Sequence, residues 1–400
     1  MQKAHRKDIK MPEIKEIYEK LCMTSVFSAV LEKPVFVAFE RYCKSKERSE
    51  KIKAYAAFVS EIYKSGGSLS ELIAKLVFED ENIYVKSVAR KTSVAKEVVF
   101  AVENELQVFA EFSALTPQDF KYELLVDYVS PFASQNQNLN EKYKKRISGI
   151  EKYGYGNFSS HPMFRLTDDS HIEPIASADK TSLDKFIGYT EEREKIIHNT
   201  VSFLQNKPAA NALLYGDAGT GKSSTVKAVV NEYFDRGLRL IELRKDQLCY
   251  LPYVMGKISE NPLKFIIFID DLSFNQNDDN FSMLKAALEG SASAKADNAV
   301  IYATSNRRHI IKESFSDRDG DDVHRNDTMQ ETLSLSERFG LTVLFAKPDK
   351  KLYIEIVHEL AERNNIKMDR EELAIKAEAF ALRRGNRSAR CAEQFIDSLI

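Results

Sequence analysis

The sequence predicts an α/β chain: a doubly wound, five-stranded parallel sheet with an all-helical region before it and a helical domain after it. Three observations carry this. Between positions 183 and 346, short apolar runs alternate with helical patterns, the order expected of parallel strands joined by crossover helices. One of those runs, residues 264–269, reads KFIIFI, nearly continuous apolar character that suits a sheet covered on both faces. On either side, residues 1–147 and the stretch after Pro348 repeat apolar groups at three- and four-residue spacing, which is the helical period.

Length and composition set the frame. Four hundred residues divide into several domains, and changes of pattern place boundaries at 1–147, 148–182, 183–346 and 347–400. A hydrophobic content of 43% with 30% charged residues is that of a chain able to bury a sizeable core. The net charge of −2 gives no overall positive field for nucleic acid or acidic membrane, although a local basic patch stays open. Cys22, Cys43, Cys249 and Cys391 lie far apart, with neither zinc spacing nor a disulfide framework, and read as reduced thiols. The N-terminus, MQKAHRKDIKMPEIKE, has charges throughout and no apolar h-region. No run reaches the length of a membrane span, so the expected location is cytoplasmic, with no membrane partner.

In the helical N-terminal region, the apolar spacing predicts helices over 13–22, 50–63, 69–78 and 91–112. Ser65-Gly66-Gly67-Ser68 is a turn, with Ser68 or Ser70 able to cap the next helix. The mixed-sign run 41–51 reads as a solvated helix face. Lys142, Lys144, Lys145 and Arg146 are a tighter basic cluster, again read as a helix end in solvent. Glycines and Pro162 break the pattern over 148–182, and apolar segments at 163–166 and 171–175 around Thr167-Asp168-Asp169-Ser170 predict a β-hairpin, with Pro174 confining its strand to an edge. His161 and His171 have no second ligand at metal spacing.

Further on, a helix is expected over 190–205 with Thr190 as N-cap and Glu191 and Glu192 at the positive end of its dipole. Arg193 holds the capping-box position, so that signal is missing. A helix over 222–234 follows the first core strand at 211–215. The remaining strands are expected at 238–243, 264–269, 299–304 and 341–345, with Asp246 capping a helix toward Lys257 and another helix at 281–289 ending at Gly290. Helices over 350–364, 369–384 and 387–399 close the chain.

Chemistry concentrates at the ends of the strands. The run 211–215 feeds into Gly216-Asp217-Ala218-Gly219-Thr220-Gly221-Lys222-Ser223-Ser224, which contains G-x-x-x-x-G-K-[ST], the phosphate-binding P-loop. Glycines let backbone N–H groups converge on phosphate oxygens, and the helix that follows adds its N-terminus. Lys222 supplies charge for the β- and γ-phosphates, and Ser223 a hydroxyl for Mg²⁺. A chance glycine-rich turn is the alternative, and the strand before with the helix after argues against it. Asp270 and Asp271 end an apolar strand, where one carboxylate can hold the Mg²⁺ shell and its neighbour orient or deprotonate water. Asn306 ends the next strand and can reach the γ-phosphate or the attacking water; taken alone it is a turn residue. Arg338, just before the last strand, can face a neighbouring subunit's nucleotide or form a surface ion pair. Arg387, opening the last helix, can fold over its own subunit's nucleotide, whereas Arg383, Arg384 and Arg390 read as solvated. Asp317, Asp319, Asp321 and Asp322 lack the glycine and glutamate offsets of a calcium loop.

This ordered set resembles the AAA+ ATPase superfamily from about position 183 to the C-terminus. FIGYTEER, LLYGDAGTGKSS, FIDDLSF, YATSNRRHII and LSLSERFGL resemble more closely a bacterial AAA+ group catalogued as an ATP-binding domain of unknown function. The resemblance implies a P-loop AAA+ sheet with a C-terminal helical lid, Asp270-Asp271 at Walker B, Asn306 at sensor 1, Arg338 as arginine finger and Arg387 at sensor 2. It also implies that Ile187-Gly188-Tyr189 packs near adenine. Most Walker B motifs of the superfamily end Asp-Glu; this one ends Asp-Asp, one methylene shorter. Helicase loaders also often show Asp-Asp, and Glu289 is a further candidate to assist. The expected function is an AAA+ protein that hydrolyses MgATP to remodel or assemble a protein or nucleic-acid client, as an ATP-stabilised homo-oligomer that can close a ring. The alternatives are a nucleotide-gated binding switch with negligible turnover and a helicase-loader-like nucleic-acid remodeller.

Overall fold

A computed structural model describes residues 14–176, 181–273, 279–288, 296–306 and 338–400. Glu289, Gly290, the acidic cluster at 317–322 and Ser334–Glu337 lie outside the described residues. The chain forms two compact units, Met1–Ser159 and Ser160–Ile400. The division therefore falls inside the segment 148–182 rather than at its ends.

The first unit is helical. Its longer helices are α1 (Ile14–Leu21), α2 (Pro34–Lys44), α3 (Arg48–Lys64), α4 (Leu69–Glu79), α5 (Lys96–Ser113), α6 (Pro117–Leu124) and α7 (Leu139–Ser148). Aromatic side chains build its core: Phe39 meets Phe112 at 4.7 Å between ring centroids, and Phe36 stacks on Phe112 at 5.0 Å. Such pairs add to the transfer free energy of the buried rings. Ser68 caps α4 through the Glu71 N–H. The helix expected from position 91 starts only at Lys96, because Lys91 adopts φ 57°, a left-handed backbone that a helix cannot contain. In the basic cluster Lys142, Lys144 and Lys145 are exposed, as expected of a helix end, and Lys144 and Arg146 have local partners. Lys144 pairs with Glu103 at 2.7 Å, and the Arg146 guanidinium lies 4.9 Å from the ring centres of both Phe78 and Tyr153.

The second unit carries a seven-stranded sheet in the order β2-β1-β4-β5-β6-β3-β7. The strands are β1 (Met163–Leu166), β2 (Ile172–Pro174), β3 (Ala212–Gly216), β4 (Leu238–Leu243), β5 (Lys264–Ile269), β6 (Ala299–Ser305) and β7 (Leu341–Phe345). Five are the parallel core. The other two are the hairpin, whose β1 pairs antiparallel with β2 and parallel with β4, so the segment expected as a linker extends the sheet. β2 is an edge strand and ends at Pro174, which has no N–H to offer a further strand. Around the sheet run α8 (Thr190–Leu204), α9 (Lys222–Tyr233), α10 (Leu251–Ile258) and α11 (Asp279–Leu288), and the lid consists of α12 (Lys350–Arg363), α13 (Arg370–Arg384) and α14 (Ala389–Asp397). β5 is buried from Phe265 to Ile269, in keeping with its apolar run.

Two cap expectations fail for identifiable reasons. Thr190 is the first helical residue of α8, not its cap; Tyr189 precedes it at φ 51° with no side-chain cap. Asp246 instead pairs with Arg244 at 3.0 Å, a 3₁₀ turn spans Lys245–Tyr250, and α10 begins after it. All four cysteines are free thiols. No helix among the described residues is long and apolar enough to cross a membrane.

Candidate nucleotide site

The site lies at the C-terminal ends of β3, β5 and β6, where an open parallel sheet ordinarily receives its ligand. Register decides which residues meet there. Tyr215 of β3 pairs with Ser305 of β6, and Ile269 of β5 with Ala303. One step further along each strand, Gly216 falls beside Asn306 and Asp270 beside Thr304.

β3 passes into the loop at Gly216, whose φ is 130°; a Cβ there would stand 2.1 Å from the Phe345 carbonyl oxygen. Gly219 and Gly221 take φ 77° and 88°, so the chain turns tightly and starts α9 at Lys222. The loop is tied to the lid hinge by two bonds: Asp217 N–H donates to Phe345 O (3.1 Å), and the Asp217 carboxylate accepts from Lys347 N–H (2.9 Å).

Lys222 is 6% exposed. Its ammonium donates to Gly216 O (2.9 Å), Asp217 O (2.7 Å) and Asn306 Oδ1 (3.1 Å). Burial lowers its pKa from the ordinary lysine value, while Asp217, Asp270 and Asp271 pull it back up. The loop thus holds a desolvated cation among neutral oxygens, an arrangement receptive to phosphate. Ser223 Oγ donates to Asp270 Oδ1 at 2.6 Å. Those are hard oxygen donors of the kind Mg²⁺ takes, and Mg²⁺ usually completes its shell with waters and substrate phosphates. No cluster of three or more acidic, His or Cys ligands occurs among the described residues. Asn306 Nδ2 donates to Asp271 Oδ1 at 2.7 Å, so one amide bridges the lysine and the second aspartate.

The lid closes the other side. Ser388 caps α14 through Cys391 N–H (3.2 Å), and Arg390 N–H donates to Gly219 O (3.3 Å). The N-terminus of α14 therefore rests on the glycine loop. The resulting cleft, about 360 Å³, is lined by Ala218 to Ser224, Asp270, Asp271, Asn306 and Ile187, and on the lid side by Ile356, Leu360 and Arg390.

Other expected residues lie elsewhere. Gly216 and Asp217 line a smaller adjoining pocket with Asn306. Gly188, at φ 70°, packs against Leu352. Tyr189 is turned to the hinge: its hydroxyl donates to Ala346 O (2.6 Å) and its ring meets Phe345. Arg387, expected over the nucleotide, instead forms a two-pronged ion pair with Glu378, at 3.0 and 2.9 Å. The pair lowers the Glu378 pKa, chiefly through the hydrogen bond from Arg387. Arg390, expected in solvent, is exposed and at the same time lines the lid side of the cleft. Arg338 is half-buried just before β7, at the end of the sheet opposite the P-loop.

The sequence reading also missed Thr304 and Arg193. Thr304 could have been found, since it lies two residues before Asn306 and alternation puts both on one face of β6. Arg193 had no such signal. It is 8% exposed, stacks 5.1 Å from the Phe186 ring centre and donates to Gly188 O, a contact set by the backbone turn at 188–189.

Comparison with known proteins adds the following. A model of the family described as "Protein of unknown function (DUF815)" matches residues 159–400. No curated protein matches the chain. Among solved structures, the Thermotoga maritima RuvB Holliday junction branch migration motor matches at 13% identity and a TM-score of 0.33, covering 55% of this chain and 72% of that one. A mutant form of RuvB matches at 13% identity and a TM-score of 0.35, with the same coverage.

Proposed function

We propose that this chain, an AAA+ protein that belongs to the family described as "Protein of unknown function (DUF815)", binds MgATP under its lid and hydrolyses the β–γ bond to remodel or assemble a macromolecular client. The observation that carries the reading is the meeting of Lys222, Ser223, Asp270 and Asp271 in one cleft. In this reading the P-loop amides and Lys222 hold the phosphates, and Ser223 and Asp270 hold Mg²⁺, which supplies charge neutralisation at the transferring phosphoryl group. Asp271 accepts a proton from, or orients, the attacking water, and Asn306 fixes that carboxylate. Arg390 takes the cis-acting place first expected of Arg387, and Arg338 acts on a neighbouring subunit's nucleotide.

Lys222→Ala removes the phosphate-site cation, so MgATP affinity should fall roughly 10- to 100-fold, the range for losing charge-assisted hydrogen bonds. Calorimetry showing unchanged affinity in a folded variant would refute the site. Asp271→Asn should bind ATP and lose at least about tenfold in phosphate release.

A second reading is a nucleotide-gated switch. It is favoured by Asp271 itself, whose carboxylate is one methylene shorter than the glutamate usual at this position. A wild-type protein that binds MgATP but releases no phosphate above background, under assembling conditions, would decide for the switch.

A further inference from the structure

Asp271 is one methylene shorter than the glutamate usual at its position, yet it sits where its carboxylate meets Asn306. Its backbone explains how. Asp271 adopts φ 51°, a left-handed conformation that aspartate tolerates better than most residues but that still has to be held by its surroundings. The holding group is one residue of the neighbouring strand. Thr304 Oγ1 accepts from Asp271 N–H at 2.9 Å, and Thr304 O accepts from Leu272 N–H at 2.7 Å. The same hydroxyl donates to Asp270 Oδ1 at 2.5 Å. Asp270 Oδ1 also receives Ser223 Oγ at 2.6 Å and Asp271 N–H at 3.2 Å. Thr304 is 2% exposed at the wall of the cleft, so its hydroxyl is largely shielded from bulk water and links the two acidic residues directly.

We propose that Thr304 is a positioning residue that orients both acidic groups of the site: it turns Asp270 toward the metal and holds the Asp271 backbone in the left-handed turn that brings a short carboxylate to the water position. The proposal rests on the MgATP reading above. It assigns the hydroxyl, not the volume, of Thr304 as the working group. The hydroxyl proton stays on Thr304 and points to Asp270, leaving an oxygen lone pair for the Asp271 N–H; no proton moves in the cycle.

The test compares Thr304→Val, which keeps shape and loses the hydroxyl, with Thr304→Ser, which keeps the hydroxyl and loses a methyl. Thr304→Ala serves in place of the valine variant if that protein does not fold. ATP affinity is measured with Mg²⁺ and with EDTA, and kcat and KM are measured for turnover, on the full chain. The hydroxyl-free variant should bind ATP in EDTA within about threefold of wild type, lose the gain in affinity that Mg²⁺ gives, and lose at least about tenfold in kcat, with KM for MgATP raised by that lost gain. The serine variant should keep both. Wild-type magnesium dependence and kcat in the hydroxyl-free variant would overturn the proposal, as would a serine variant that falls as far as the valine one. If the wild type turns over too slowly to measure, the magnesium dependence alone decides. Lys222→Ala, run alongside, separates the two layers: unchanged affinity there refutes the nucleotide site itself, whereas lost affinity there with an unaltered Thr304→Val refutes only the role of Thr304.

Discussion

At the residue scale, the two lid arginines separate by their partners. Arg387 and Arg390 lie three positions apart at the start of α14. The first is held by a carboxylate of α13, while the second lines the cleft from an exposed position, beside the bond from its own backbone N–H to Gly219 O. Arg390→Ala should therefore weaken MgATP binding about tenfold, the scale of one lost charge-assisted contact, while Arg387→Ala should leave affinity within about threefold. Titration calorimetry on both variants checks this, and the reverse ranking would restore Arg387 to the nucleotide. The Arg387–Glu378 pair also has a pH signature. Glu378 has a depressed pKa in the folded protein, so the pair stabilises above the ordinary carboxylate pKa, and that stability is lost as pH falls through the lower folded value. In Arg387→Ala this acid-side slope should flatten, read as melting temperature against pH between neutral and strongly acidic buffer.

At the element scale, the P-loop, the last core strand and the lid hinge form one unit. Gly216 is the closest approach, with the Phe345 carbonyl filling the space a side chain would need. A Gly216→Ala protein has two faults, a backbone angle that L-residues avoid and a collision with main chain, not with a flexible side chain. Its second unit should lose at least about 2 kcal/mol of stability, within the range of a forced backbone. Thermal unfolding followed by circular dichroism measures it, and a wild-type melting temperature would contradict the packing. Asp217 also accepts from Lys347 N–H, so the loop is bonded to the segment from which the lid springs.

At the scale of the whole molecule, the issue is what lies beyond one subunit's reach. β7 runs from Leu341 to Phe345, and a five-residue strand covers roughly 17 Å. Arg338 precedes it, while the P-loop adjoins its far end, so Arg338 is remote from the nucleotide of its own chain. A catalytic part for it requires a second copy in head-to-tail contact, the arrangement that closes rings. Arg338→Ala should bind ATP but hydrolyse it about 10³-fold more slowly if it acts as an arginine finger. Mixing Arg338→Ala with Lys222→Ala should restore part of the activity, because a mixed interface pairs one intact P-loop with one intact finger. Full activity of Arg338→Ala alone, or no recovery in mixtures shown to co-assemble, would remove Arg338 from the mechanism.

The sequence by itself determined the α/β class, the two flanking helical regions, the P-loop and the paired aspartates. Those features are written in local terms: periodic apolar residues choose helix or strand, and a contiguous glycine pattern with Lys222 and Ser223 specifies a phosphate loop wherever a strand precedes it. Even the hairpin at 163–174 was legible from its turn residues, but its place as the outer edge of the main sheet was not, since strand pairing between β1 and β4 joins residues far apart in sequence. Only the tertiary structure decided which lid arginine pairs with Glu378, that Tyr189 bonds to the hinge, and that the hydroxyl of a buried threonine of β6 bonds to both aspartates that follow β5. Each of these depends on register between strands or on the rotation of a helix about its axis, where a shift of one residue carries a side chain to another face; nothing in the local pattern around Arg387 or Tyr189 fixes that shift, and for Thr304 alternation marks the face but not the partners across the sheet.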